Sequence, residues 1–174
     1  MSEIIMLTDG FTLTCAAPAE FSSSVLTAYQ ALLAEGNAVR SPPAARLLGA
    51  YRWAIIQTPE TGQVVAAGAL KQTCLNQSYY QTLFSPRKAS LMQTFSAGRF
   101  PLDLGYLVTA SSFQRRGYCG RIMDALLAAC MEECVLATTQ DPGIQHKLLN
   151  KGFERRGTHW QADNGGRLAL YLRP

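Results

Sequence analysis

The chain has 174 residues, 48% of them hydrophobic and 16% charged, with a formal net charge of +4. That length and balance fit one globular domain with its own core and exclude a disordered chain. No apolar run reaches the ~18 residues that a membrane-spanning helix needs, and the opening "MSEIIMLTDG" lacks the basic start of a secretion signal, so a cytoplasmic protein without a membrane partner is expected.

Five cysteines (Cys15, Cys74, Cys119, Cys130, Cys134) are odd in number and scattered, with no C-x-x-C pair. This pattern points away from a disulfide framework and from a zinc site, and no metal is expected. The charge is uneven. Residues 1–86 hold four basic and five acidic side chains, a balance of −1, whereas residues 87–174 hold twelve and seven, a balance of +5. A basic second half suits an anionic ligand such as a nucleotide, a phosphorylated cofactor or nucleic acid, or it is simply a solvated basic face.

In chain order, "IIMLTDGFTLTC" reads as a pair of strands turning at Asp9-Gly10. "PAEFSSSVLTAYQALLAEG" places Val25, Leu26, Tyr29, Leu32 and Leu33 on one helical stripe, with Pro18 near its start and Gly36 past its end. "SPPAARLLG" is a loop with a short helical turn. "YRWAIIQT" and "QVVAAGALKQT" form a hairpin across "PETG". Residues 74–100 lack clean periodicity and make a long insert, with a short helix expected around Tyr79–Phe84. "LDLGYLVT" is a strand, and the helix after it turns Ile122, Leu126, Leu127 and Cys130 inward. "CVLATT" is a strand and "PGIQHKLLNKG" a helix, and a last hairpin turns at Asn164-Gly165. Trp53 and Trp160 are expected in the core, and alternation puts Leu104, Tyr106 and Val108 on one face of their strand.

Between the strand "LDLGYLVT" and its helix lies "FQRRGYCGR", residues 113–121. A strand entering a helix through a glycine leaves backbone N–H groups and the positive end of the helix dipole available to phosphate oxygens. Arg115, Arg116 and Arg121 add charge suited to such an anion. The spacing matches neither G-x-x-x-x-G-K-[ST] nor G-x-G-x-x-G, which points away from nucleoside triphosphates and dinucleotides.

The spacing Gln114-x-x-Gly117-x-Cys119-Gly120 resembles the [QR]-x-x-G-x-[GA] loop of the GCN5-related N-acetyltransferases. "LLNKGFERRG" is similar to that family's G-F signature, and the element order also matches, so the resemblance covers roughly residues 3–173. It implies a single α/β (α+β) domain with a mixed, mostly antiparallel sheet flanked by helices. It implies acetyl-CoA as donor, held by Gln114, Arg115, Arg116, Gly117, Tyr118, Cys119, Gly120 and Arg121, with backbone amides around Leu107, Val108 and Thr109 meeting the pantetheine arm. The implied activity is acyl transfer from the thioester to a primary amine by direct attack in a ternary complex. Asp103 stands where the family often has its base, or is a strand-start or edge aspartate that only solvates the chain end. Cys119 departs from the usual Gly or Ala but is small, and packing suits it better than an acyl-enzyme role. Leu148 stands where the family often has a general-acid tyrosine, with His146 two residues earlier as a substitute or as a plain surface histidine.

Tyr79, Tyr80 and Phe84 of the insert, with Arg87-Lys88, would line an acceptor pocket or a lid, or cap a surface loop. The expected acceptor is a small-molecule or protein amine, and the chain a monomer or homodimer. Two other readings stand beside this one: a nucleic-acid-directed binder or base-modifying acyltransferase, from the +5 bias, and a catalytically degenerate CoA-binding module, from Leu148.

Overall fold

Strands β3 (Arg52–Gln57) and β4 (Val64–Gln72) form the hairpin expected across "PETG". They pair antiparallel, with Trp53 opposite Ala69, Ala54 opposite Gly68 and Ile55 opposite Ala67. Opposed residues share a face, so one face sets Trp53 and Ile55 against alanines, while Ala54 and Gly68 leave the other face low. The computed structural model describes residues 2–36, 42–83, 99–162 and 165–174. Its remaining elements are β1 (Glu3–Met6), β2 (Thr12–Ala16), α1 (Ser23–Glu35), α2 (Ala44–Leu48), α3 (Gln77–Leu83), β5 (Leu102–Thr109), α4 (Tyr118–Ala128), β6 (Val135–Thr139), α5 (Pro142–Asn150), β7 (Glu154–Gln161) and β8 (Arg167–Arg173).

The strands follow the order β1-β2-β3-β4-β5-β6-β8-β7. The ladders β1–β2, β2–β3, β3–β4, β6–β8 and β7–β8 are antiparallel, and β5–β6 is parallel. The architecture is therefore the mixed, mostly antiparallel sheet with helices that the sequence implied. The chain packs as two compact units, Met1–Lys71 with Gly105–Met131 and Gln72–Leu104 with Glu132–Pro174.

In the first unit, α1 buries Tyr29, Leu32 and Leu33 against Trp53, Ile55, Leu47, Ala67 and Ala69. Trp53 is fully buried and donates its indole N–H to the Leu47 carbonyl at 2.9 Å. Its ring meets Tyr29 edge-on at 5.6 Å. The stripe of small residues on the other face, Ala54 and Gly68, admits α4. There Ile122 and Leu126 of α4, together with Leu107 of β5, crowd the position a β-carbon would occupy on Gly68. Cys15 of β2 also faces this helix and donates its thiol to the Ala125 carbonyl at 3.7 Å. β1 is an edge strand with Ile4 and Met6 exposed.

In the second unit, Tyr80 and Leu83 of α3 pack with Phe100, Leu136, Trp160, Leu170 and Leu172. Helix α5 begins as its sequence dictates: the Asp141 carboxylate accepts from the Ile144 amide at 2.8 Å, and Pro142 follows at the first helical position. It ends at Gly152, whose φ of +81° closes the turn onto Phe153. β7 bulges between Arg156 and Trp160 around Gly157, φ +67°. Of the expected Asn164-Gly165 turn, Gly165 has a φ of +82°; Asn164 lies outside the described residues.

Gly68→Ala is expected to destabilise the protein by about 1–3 kcal/mol, the range for overpacking a filled core. The new methyl would stand 2.6 Å from side-chain carbons of Ile122 and Leu107, and Ile122 branches at its β-carbon and gives way poorly. Urea unfolding of the two proteins measures the difference.

Candidate functional site

β5 leaves the ladder at Thr109, and the Ala110 amide donates to the Val65 carbonyl at 2.9 Å. A single 3-10 turn, Ser111–Phe113, then leads into Gln114 in extended conformation. Arg115 is left-handed at φ +62°, and Gly117 is left-handed at φ +80° as the N-cap of α4. Nothing lies within 4 Å of a β-carbon added to Gly117. The glycine is therefore demanded by its backbone angle and not by crowding from the protein.

No side chain caps the start of α4, so its first turn presents amides in the manner that suits an anion. Gln114, Arg115, Arg116, Gly117 and Arg121 are exposed, while Cys119 and Gly120 are half-buried. A β-carbon on Gly120 would likewise meet nothing within 4 Å. An open helix start with three exposed arginines close to it in sequence carries the charge that attracts an anion.

Beneath the loop lies a row of aromatic rings. The Arg116 guanidinium sits 5.0 Å from the centre of the Phe113 ring, Phe113 meets Phe11 edge-on at 5.8 Å, and Phe11 lies 5.4 Å from Tyr118. Tyr118 is buried, and its hydroxyl donates to the Asp9 carboxylate at 2.6 Å. Its ring thus belongs to the core, and what it can offer a ligand is its backbone amide. The Tyr118 hydroxyl holds the Asp9 carboxyl below its ordinary range; burial, then the bond to Asp9, pushes the Tyr118 phenol up. Neither residue stood out in the sequence as half of a pair, because 109 positions separate them.

Leu107, Val108 and Thr109 lie half-buried at the end of β5. Val108 packs with the α1 cluster, and Leu107 faces Gly68. Tyr106 has φ +53°, yet it packs with Val108 against the same α1 cluster, the shared face that alternation predicts for those two. Its carbonyl accepts from the fully buried Tyr29 hydroxyl at 2.9 Å, and its ring receives the Lys71 ammonium at 4.7 Å. Nothing in a tyrosine's identity signals that left-handed angle.

In the second unit the structure joins two residues that the sequence offered separately. Asp103 is buried, and its carboxylate accepts from the buried Tyr80 hydroxyl at 2.7 Å. Tyr79 stands edge-on to Tyr80 at 5.1 Å and is exposed. Phe84 and the Arg87-Lys88 pair lie outside the described residues. His146 is exposed on α5, with Nε2 3.0 Å from the Asn150 side-chain nitrogen. Leu148 is fully buried and supplies only packing.

This arrangement, a mixed sheet whose fifth strand runs through a glycine-capped loop into a helix, is the fold of the GCN5-related N-acetyltransferases. Among solved structures, ElaA of Escherichia coli superposes with a TM-score of 0.69 at 14% identity, covering 94% of this chain and 99% of that one. An acyl-CoA N-acyltransferase from Pseudomonas aeruginosa gives 0.65 at 16% identity, covering 94% and 99%. Arabidopsis thaliana NAA60, solved with a bisubstrate analogue, gives 0.63 at 9% identity, covering 92% and 96%. No protein-family model and no curated protein sequence matches the chain.

The cysteines give a direct check on this geometry. Cys15 is buried, and burial pushes its thiol up to about 11, whereas Cys74 is exposed. With the thiolate as the reacting form, iodoacetamide at pH 8 is expected to modify Cys74 within minutes and Cys15 only after unfolding. Peptide mass mapping of a time course would show it.

Proposed function

We propose that the chain is an acyl-CoA-dependent N-acyltransferase that moves an acetyl group to a primary amine by direct attack in a ternary complex. The observation that carries this reading is the loop Gln114–Arg121, where a left-handed glycine opens α4 amid exposed arginines. Acetyl-CoA supplies an acyl group already activated as a thioester. The amides at the start of α4, with Arg115, Arg116 and Arg121, would hold its pyrophosphate. The amides of Leu107, Val108 and Thr109 would meet its pantetheine arm and polarise the carbonyl.

The attacking amine must be neutral, so a proton has to leave it. Asp103 would receive that proton through Tyr80, whose hydroxyl already donates to it: as the phenol oxygen takes the proton from the amine, its own passes to the carboxylate. Tyr79, exposed beside Tyr80, would line the acceptor pocket. With Leu148 in the usual place of an acid, the departing thiolate draws its proton from His146 or from water. Leu148 also supports a second reading, a module that binds CoA and transfers nothing.

Acetyl-CoA at about 100 times its Kd is expected to raise the melting temperature by roughly 5–10 °C, and Gly117→Glu to abolish the shift; no shift with the wild type would sink the proposal. Across a panel of amines, thiol release should fall by about 10²-fold or more in Asp103→Asn, with CoA affinity within twofold of wild type. Binding without release for any amine would favour the second reading.

A further inference from the structure

We propose that the β1–β2 turn is a clamp for the donor loop and that Asp9 is its positioning residue. The inference rests on the reading of residues 114–121 as the donor site. The turn is internally fixed: the Gly10 amide donates to the Leu7 carbonyl at 3.0 Å, the Leu7 amide to the Phe11 carbonyl at 2.8 Å, and Gly10 has a φ of +83°. Asp9 closes it by accepting from the Phe11 amide on Oδ1 at 3.4 Å. With Oδ1 directed at its own turn, Oδ2 faces the Tyr118 hydroxyl at 2.6 Å.

The turn therefore grips the loop at both ends. On the entry side Phe11 packs on Phe113; on the exit side Phe11 packs on Tyr118 and Asp9 bonds it. Between these anchors lie the four exposed residues Gln114–Gly117, including the left-handed Arg115. A non-glycine residue in that conformation is strained and persists only where its surroundings over-determine it. Two anchored ends supply that determination. The short bond between a carboxylate and a phenol is of the stronger class, and it acts on the first residue of α4, whose amide belongs to the anion-facing turn.

Charge alone argues the opposite direction. A carboxylate beside an anion site repels the ligand, so removing Asp9 would tighten binding if electrostatics were all it contributed. Arg121 faces Asp9 from α4, and Arg116 reaches the Tyr118 hydroxyl, so the acid sits within a basic surround. The sign of the effect separates the two accounts.

The test measures the CoA Kd by calorimetry for wild type, Asp9→Ala, Tyr118→Phe, the double variant and Asp9→Asn, with melting temperatures recorded for each. The clamp predicts that Asp9→Ala and Tyr118→Phe each weaken binding three- to tenfold. The double variant should be no weaker than the worse single one, since both remove one bond. Asp9→Asn, which keeps an acceptor oxygen but no charge, should recover most of the affinity. Equal or tighter binding in Asp9→Ala, or additive losses, would overturn the proposal. Tyr118→Phe removes one oxygen from a packed ring and answers for any folding defect in the alanine variant. Without ligand, amide exchange of residues 117–121 should be faster in Asp9→Ala than in wild type, and unchanged exchange would also overturn the clamp. Should the wild type bind no CoA, the donor reading fails on its own, while the exchange measurement still decides the clamp.

Discussion

The bond from the Tyr29 hydroxyl to the Tyr106 carbonyl is the point on which the first unit turns. Tyr29 is fully buried, and a buried hydroxyl without a partner costs about 1–3 kcal/mol. Burial also keeps it a phenol, with its pKa well above the ordinary value. The acceptor it finds is a strand carbonyl at a residue with φ +53°. Helix α1 thus packs against the sheet and, through the same side chain, secures the one irregular residue of β5. Two residues on, Val108 packs against that helix. The end of β5, the entry to the loop and the start of α4 follow in direct sequence from a strand held this way.

Local physics made much of this readable in advance. The stripe Tyr29, Leu32 and Leu33, the "PETG" hairpin and Gly36 past the end of α1 are short-range signals, and the elements stand where those signals put them, whereas Pro18 opens a 3-10 turn of its own and α1 starts only at Ser23. Gly117 was legible too, as the glycine through which the strand enters its helix, and the structure adds its left-handed angle. What could not be read were contacts with no local cause. Asp103 and Tyr80 each drew attention alone, and only folding puts one oxygen on the other. Asp9 looked like a turn residue and nothing more. Tyr106 carried no letter that marks a left-handed backbone.

The arginines illustrate how context divides a single composition. The +5 balance of the second half was compatible with nucleic acid or a phosphorylated cofactor. Arg115, Arg116 and Arg121 lie exposed around one helix start, whose first amides no side chain caps. Arg155 instead lies on β7 beside His159, and Arg156 pairs with Glu154. One net charge therefore covers a focused set of cations and a dispersed one, and only the first has a helix dipole behind it.

Gly68 has no side chain and lies in the interior, yet it governs how closely α4 approaches β4. The same helix begins at Gly117, so its N-terminal amides take their height above the sheet partly from that bare α-carbon. The position of those amides therefore depends on an interior glycine of β4 as well as on the surface glycine of the loop. One acts by letting the helix pack close and the other by its backbone angle.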